Sequence, residues 1–360
     1  MSEMSQALPT QNMELNIGPS HPAMHGTVKV SVELDGENIV KSNTDVGYLH
    51  RGFEKMCENV TWAQCMPYTD RLNYVSPLIN NFAFCQAVEK LLEVEIPERA
   101  KFIRVIAAEI SRITDHMTCC AAMGMEVGGF TPFLYMIEGR DYLYDLVERL
   151  SGARITVNFA RIGGVAHDLP EDFVGDCLAT LEKVFKLVDD GDKMLTRNRI
   201  FIDRMNGVGK ISAEDAIAYG ITGPFLRSTG VDYDVRKAHP YDVYDRFDFD
   251  VPIGDNGDCY DRWLVRLEEM RQSRKILEQA LKQIPPGTVL LDNPHFALPA
   301  KDQVYTRIEG LMNHFKLVIE GARVDAGEVY SFSEGGNGEL GFYIVSDGSP
   351  KAWRVRIRPP

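Results

Sequence analysis

Two short segments carry residue types suited to proton and hydrogen-bond chemistry. The first, GPSHPAMHG at 18–26, places His21 and His25 four residues apart, which on a helix is metal-ligand spacing. Pro22 between them, Gly18-Pro19 before and Gly26 after favour a turn instead, and no HExxH glutamate accompanies the pair. His25 is therefore open to three readings: a structural loop histidine, a hydrogen-bond donor to a substrate, or a metal ligand. The second segment, YTDRLNYVSP at 68–77, sets Arg71 and Tyr74 just before a Ser76-Pro77 helix start. A tyrosine there can present its hydroxyl to a cavity while its ring packs on the wall, or it can be a core tyrosine satisfied by backbone. Taken alone, Arg71 reads as a solvated or ion-paired arginine.

The elements that must position these side chains are mostly helical. Residues 1–14 read as a loose, disordered tail. VKVSVELDGENIVKS alternates apolar and polar residues around Asp35-Gly36, so a β-hairpin is expected over 27–42. From 48 to 318 the period is helical, with starts at Ser76-Pro77 and Pro97-Glu98. The helix after Pro97 lines up Phe102, Ile103, Ile106, Ile110, Ile113 and Met117 on one face, a core stripe. Further helices are expected near 133–150, 171–200, 259–283 and 301–318, and short strands within 327–358. In the last strand Trp353, Val355 and Ile357 alternate with Arg354, Arg356 and Arg358. The expectation is one mainly α domain over 15–360, with small antiparallel β elements at its two ends.

Composition narrows the function. The chain has 360 residues, with 39 Lys plus Arg against 52 Asp plus Glu and a net charge of −13. Such acidity argues against a nucleic-acid partner, since phosphate neutralisation needs a basic surface. The longest uncharged stretch, 72–88, carries several Asn and Gln, so no membrane span is expected, and no targeting segment is visible. Seven cysteines, an odd number without any CxxC, fit a reducing compartment, and the adjacent Cys119 and Cys120 read as small buried hydrophobes. The tract from Asp232 to Asp258 holds eight Asp against Arg236, Lys237 and Arg246. It reads as a solvated face or, with its Tyr, Phe and Pro, as an interface with a partner protein.

GPSHPAMHGTVKV, GYLHRGFEK, YTDRLNYVSP, ARIGGVAHDLP, the long run from GITGPFLRSTG to DRWLVR, and GELGFYIVSDGSPKAWRVRIRPP resemble the 49-kDa-type quinone-site subunit of bacterial NADH:quinone oxidoreductase, respiratory complex I. The resemblance runs from about residue 15 to the end. It implies a nickel-iron hydrogenase large-subunit-like fold that has lost its metal, in keeping with the absence of paired thiolates. It implies a subunit inactive alone, whose substrate is a ubiquinone or menaquinone, with neither a metal nor an iron-sulfur cluster of its own. NADH binding and oxidation fall to another subunit, as no GxGxxG follows a strand here. Implied partners are the subunit that holds the terminal iron-sulfur cluster, the C-type subunit and the membrane-arm quinone-channel subunit. The implied location is peripheral, on the cytoplasmic face of the cell's inner membrane, with electron transport coupled to proton translocation by the whole complex. Two rivals are a hydrogenase-like metalloenzyme and a non-catalytic scaffold of a related membrane-bound redox complex.

Residue by residue, His25 and Tyr74 match the family's two quinone-head donors, and Arg71 an arginine beside the terminal cluster. His50 and Arg51 belong to a motif that serves packing and the interface between subunits. Three departures stand out. Glu126 occupies the place of an Asp coupled to the loop histidine, keeping the charge on a longer stem. Thr156 replaces a histidine found near the cluster in many members, and a hydroxyl takes up no proton at physiological pH. Family members also continue beyond the RIRPP equivalent, so a truncated or partial reading frame, with an exposed arginine ladder on an unpartnered strand edge, is expected.

Overall fold

The computed structural model describes residues 12–21 and 26–360. The chain divides into two compact units, residues 1–53 and 54–360. The first is an antiparallel sheet ordered β1 (Met13–Ile17), β2 (Lys29–Asp35), β3 (Asn38–Asp45). The β2–β3 hairpin turns at Asp35-Gly36 as the alternation requires, with Gly36 at φ 64°, a backbone region that costs glycine nothing. Strand β1 begins at Met13, inside the stretch expected to be loose, and pairs along β2 from Met13 opposite Leu34 to Ile17 opposite Val30.

The second unit is built on helices. α1 (Phe53–Cys57) and α2 (Trp62–Thr69) lead into α3 (Pro77–Leu91), α4 (Glu98–Glu126) and α5 (Phe130–Ser151). The core stripe on α4 is confirmed: Phe102, Ile103, Ile106, Ile110, Ile113 and Met117 are all buried. Each contributes about 1.5–3 kcal/mol by leaving water, which is what fixes so long a helix at the centre of the unit. α4 packs against both α5 and α11 (Cys259–Gln283), and α6 (Phe173–Leu195) packs against α5 and also reaches α11. The short α7 (Arg199–Met205), α8 (Ala213–Ala218), α9 (Gly223–Arg227) and α10 (Val235–Ala238) lie between α6 and α11 along the chain. Asp258 caps α11 by accepting from the Asp261 amide at 2.9 Å.

Two small sheets complete the unit. β4 (Ala160–Arg161) and β5 (Gly164–Val165) form a short hairpin in the stretch between the helices expected near 133–150 and 171–200. Near the end, β6 (Gly327–Glu334), β7 (Glu339–Ser346) and β8 (Arg354–Arg358) form an antiparallel sheet against which α3 packs. Cys120 is buried as expected, while Cys119 is only half-buried. The architecture is therefore mainly helical with small antiparallel sheets.

Three expectations need correction. β8 is an edge strand and its Arg354 and Arg356 are exposed, as expected, but the arginines are not a bare ladder. Arg354 pairs with Glu58 at 3.2 Å and Arg356 with Glu54 at 3.4 Å, while Arg358 donates to the Glu339 and Gly220 carbonyls. Glu54 also accepts the Ile357 amide, which occupies an edge donor. Trp353, expected on the inward side with Val355, is instead 68% exposed, because β8 begins only at Arg354. Nor is the Asp232–Asp258 tract one solvated face: Asp234 and Asp258 are buried, Asp258 as the α11 cap and Asp234 in ion pairs.

Candidate functional site

The turn between α2 and α3 is where the candidate chemistry sits. The Arg71 and Leu72 amides donate back to the Tyr68 and Thr69 carbonyls, closing the end of α2, and Pro77 opens α3. Between them Tyr74 is 63% exposed, and its hydroxyl makes no hydrogen bond among the described residues. The turn beneath it is anything but loose. Asn73 Nδ2 donates to Asp115 Oδ2 at 2.7 Å, Ser76 Oγ donates to the same oxygen at 2.8 Å, and Asn80 Nδ2 donates to the Asn73 carbonyl at 3.0 Å. A phenol is thus held out on a fixed platform.

The surroundings of Tyr74 include Tyr144 and Arg140 on α5. Burial raises the Tyr144 phenol above its ordinary range; the Arg140 guanidinium, 5.3 Å from its ring, opposes this, and the Tyr74 phenol and Asp115 reinforce it. Arg71 Nη1 donates to the Pro67 carbonyl at 2.5 Å and lies 4.0 Å from Asp70, with nearly half its side chain in water. Its positive charge is therefore only partly spent inside the chain.

Asp70 latches this turn to the segment bearing Thr156. Its Oδ2 accepts the Asn158 amide at 3.0 Å and its Oδ1 accepts Asn81 Nδ2 at 2.6 Å, while Asn81 Oδ1 accepts the Phe159 amide at 3.3 Å. Burial pushes the Asp70 carboxyl up to about 6, against the pull of these donors and of Arg71. A raised carboxyl pKa means the folded chain holds a proton that the unfolded chain has released between about pH 4 and 6, so stability falls as pH rises through that window. Asp70→Asn should remove one such group, up to about 1.4 kcal/mol per pH unit. Urea unfolding of both chains at pH 4.5 and 6 checks this, and equal pH slopes would contradict it.

The sequence-derived candidates are distributed as follows. Arg71 and Tyr74 share one turn, and exposed Thr156 lies two residues before the Asn158 amide that this turn grips. Glu126 is exposed at the end of α4, eleven residues beyond Asp115 and so roughly 16 Å farther along the helix axis. His50 and Arg51 are exposed in the loop after β3, in the first unit. His25 lies outside the described residues. A separate cleft of about 640 Å³, lined by Lys90, His239, Tyr241, Asp242 and Phe332 among others, contains none of these residues.

A buried ionic cluster was not visible in the sequence. On α4, Glu109 pairs with Arg112 at 3.2 Å and with Arg236 at 3.3 Å, and accepts the Tyr244 hydroxyl at 2.6 Å. Arg236 reaches Asp234 at 2.6 Å, and Arg227 reaches Glu269 at 2.6 Å and Glu334 at 2.9 Å. His116 Nε2 is 2.7 Å from Glu269. Burial drives the Glu269 carboxyl upward, but Arg227 and His116 outweigh it and hold the group below its usual range. Burial and the neighbouring Asp234 instead raise Glu334, with Arg227 and Arg236 opposing. No local pattern announces this: Glu109 and Arg112, three apart on a helix, look like an ordinary surface pair.

The chain as a whole is similar to known proteins. The family description "Respiratory-chain NADH dehydrogenase, 49 Kd subunit" matches residues 126–360. Across 359 residues the chain is 58% identical to the D-type subunit of the NADH-quinone oxidoreductase of Myxococcus xanthus, covering 100% of this chain and 86% of that protein. The chain belongs to the 49 kDa subunit family of complex I. A D-type subunit from Sorangium cellulosum is 56% identical over 361 residues, 100% of this chain and 89% of the relative. A C/D-type NADH-quinone oxidoreductase subunit from Bdellovibrio bacteriovorus is 53% identical over 348 residues, 97% of this chain and 62% of the longer protein. As a family member the chain is one subunit of an oxidoreductase and not catalytic alone. Among the described residues no helix is long and apolar enough to cross a membrane, and no three His, Cys, Asp or Glu side chains gather as a metal site.

Proposed function

We propose that the 70–76 turn forms part of a quinone-head pocket, with Tyr74 as a donor to one carbonyl oxygen and His25 as its counterpart at the other. The observation that carries this reading is the Tyr74 phenol, exposed yet mounted on a turn clamped by a buried carboxylate, in a chain of the 49 kDa subunit family. Reducing a quinone adds two electrons and two protons, and negative charge grows on its oxygens as the electrons arrive. A donor that can also surrender its proton lowers the energy of that charge. A phenol with a reference pKa of about 10 does so only once the electrons are driving the transfer.

The electrons come from an iron-sulfur cluster on a neighbouring subunit, and the partly solvated Arg71 charge favours its reduced state. Thr156 supplies no titratable group there. The cluster's potential should then be lower and less dependent on pH than with a histidine in place, which suits a low-potential acceptor such as menaquinone. A redox titration of the assembled complex between pH 6 and 8 checks this, and a normal downward slope of the potential would refute it. Glu126 takes the acidic place coupled to His25. The helical core is read as that of the nickel-iron hydrogenase large subunit, and the chain as peripheral on the cytoplasmic face of the membrane, its complex coupling the reaction to proton translocation.

The C/D-type relative, one chain under both names, supports the C-type subunit as a neighbour. An isoprenoid tail needs shelter at about 0.8 kcal/mol per buried CH₂, which calls for the membrane-arm channel subunit. Photolabelling of the assembled enzyme with an azido-quinone tests the reading directly. Label on the 70–76 segment of this chain is expected, and label confined to other subunits would overturn it.

A further inference from the structure

We propose that Asp115 is the positioning residue for Tyr74. The inference rests on Tyr74 being the quinone-head donor, and it names what holds that donor in place. Asp115 is only 3% exposed, in the middle of α4, some forty residues along the chain from the turn it controls. One of its oxygens, Oδ2, accepts from Asn73 and from Ser76, the residues immediately before Tyr74 and two after it. Asn73 Nδ2 also lies 2.8 Å from Ser76 Oγ, so carboxylate, amide and hydroxyl form a closed triangle under the phenol.

Two further features show that this contact is built rather than incidental. Ser76 stands at the N-cap of α3, where a serine hydroxyl ordinarily accepts from an amide of the first turn. It makes no such cap, and its hydroxyl donates to Asp115 instead. On the other side of the carboxylate the backbone at Gly336 passes so close that an added Cβ would lie 2.1 Å from Asp115 Oδ2. The carboxylate is therefore walled by the β6–β7 connection on one side and holds both donors of the Tyr74 turn. Arg266 provides the nearby positive charge that makes a buried carboxylate tolerable here.

The hydrogen bonds, not the charge, do the positioning, because an asparagine oxygen at the same place can accept both donors. A donor that drifts by about an ångström loses its grip on the developing oxyanion rather than on the resting quinone, so the loss falls on kcat more than on KM. In the assembled complex, with NADH and decylubiquinone, Asp115→Ala is expected to lower kcat about 10- to 100-fold with little change in KM. Asp115→Asn should restore kcat to within a few-fold of the parent. The iron-sulfur signals and polypeptide content of the purified complex serve as the measure of assembly.

If Asp115→Ala leaves kcat unchanged while Tyr74→Phe lowers it, the positioning role is wrong and the Tyr74 reading stands. Should Tyr74→Phe itself leave kcat unchanged, the Tyr74 reading fails first. Equal damage in Asp115→Asn and Asp115→Ala would show that the charge matters and overturn the proposal. Where Asp115→Ala does not assemble, Ser76→Ala replaces it, and an unaltered kcat in that variant counts against the proposal.

Discussion

Tyr74→Phe should slow quinone reduction by the assembled enzyme by about 10- to 150-fold, with NADH oxidation by an artificial electron acceptor unchanged. The magnitude follows from the charge-assisted hydrogen bond that is lost, about 1.5–3 kcal/mol, at 1.36 kcal/mol per factor of ten. Phenylalanine keeps the ring and the packing, so the difference reports the hydroxyl. The effect depends on a partner covering the site, since a phenol 63% exposed to water has little advantage over water as a donor. The isolated chain should consequently bind short-chain quinones weakly. Turnover with decylubiquinone in membranes decides the matter, and a rate within twofold of the parent would remove Tyr74 from the reaction.

Arg227→Met should destabilise the chain by about 3–5 kcal/mol, the usual consequence of deleting one partner from a buried ion pair. Arg227 donates to Glu269 and Glu334, lies 3.6 Å from Asp234 and also donates to the Tyr233 carbonyl. Methionine fills similar space but leaves three buried carboxylates without that charge. Glu109, Asp234 and Glu269 are held below the ordinary carboxylate range despite burial, by Arg112, Arg236, Arg227 and His116. Depressed carboxyl groups contribute stability above about pH 4 that is lost as pH falls below it. Without Arg227 the carboxyls rise, so acid unfolding should begin at higher pH. Urea midpoints at pH 7 and an acid titration followed by circular dichroism measure both effects. A loss under about 1 kcal/mol would mean that the cluster relaxes or admits water.

Much of the framework is written locally. The hairpin at Asp35-Gly36, the start of α3 at Ser76-Pro77 and the buried stripe from Phe102 to Met117 each depend on residues within a few positions of one another. Backbone preference and apolar periodicity act at that range, so these features are legible in the order of residues alone, as are family membership and the candidacy of Arg71 and Tyr74. What holds Tyr74 in place did not show, because Asp115 is a single acid in a helix otherwise read for its apolar face. The acid-rich run from Asp232, read as a solvated face or a partner interface, hid its buried members for the same reason: Asp234 is inside only because Arg227 and Arg236 meet it there. Likewise Arg354 and Arg356 looked unpaired until the fold brought them to Glu58 and Glu54, some three hundred residues earlier. Whether a charge is buried, and what neutralises it, depends on groups distant in the chain, since an ion can leave water only where folding brings its counter-charge to it.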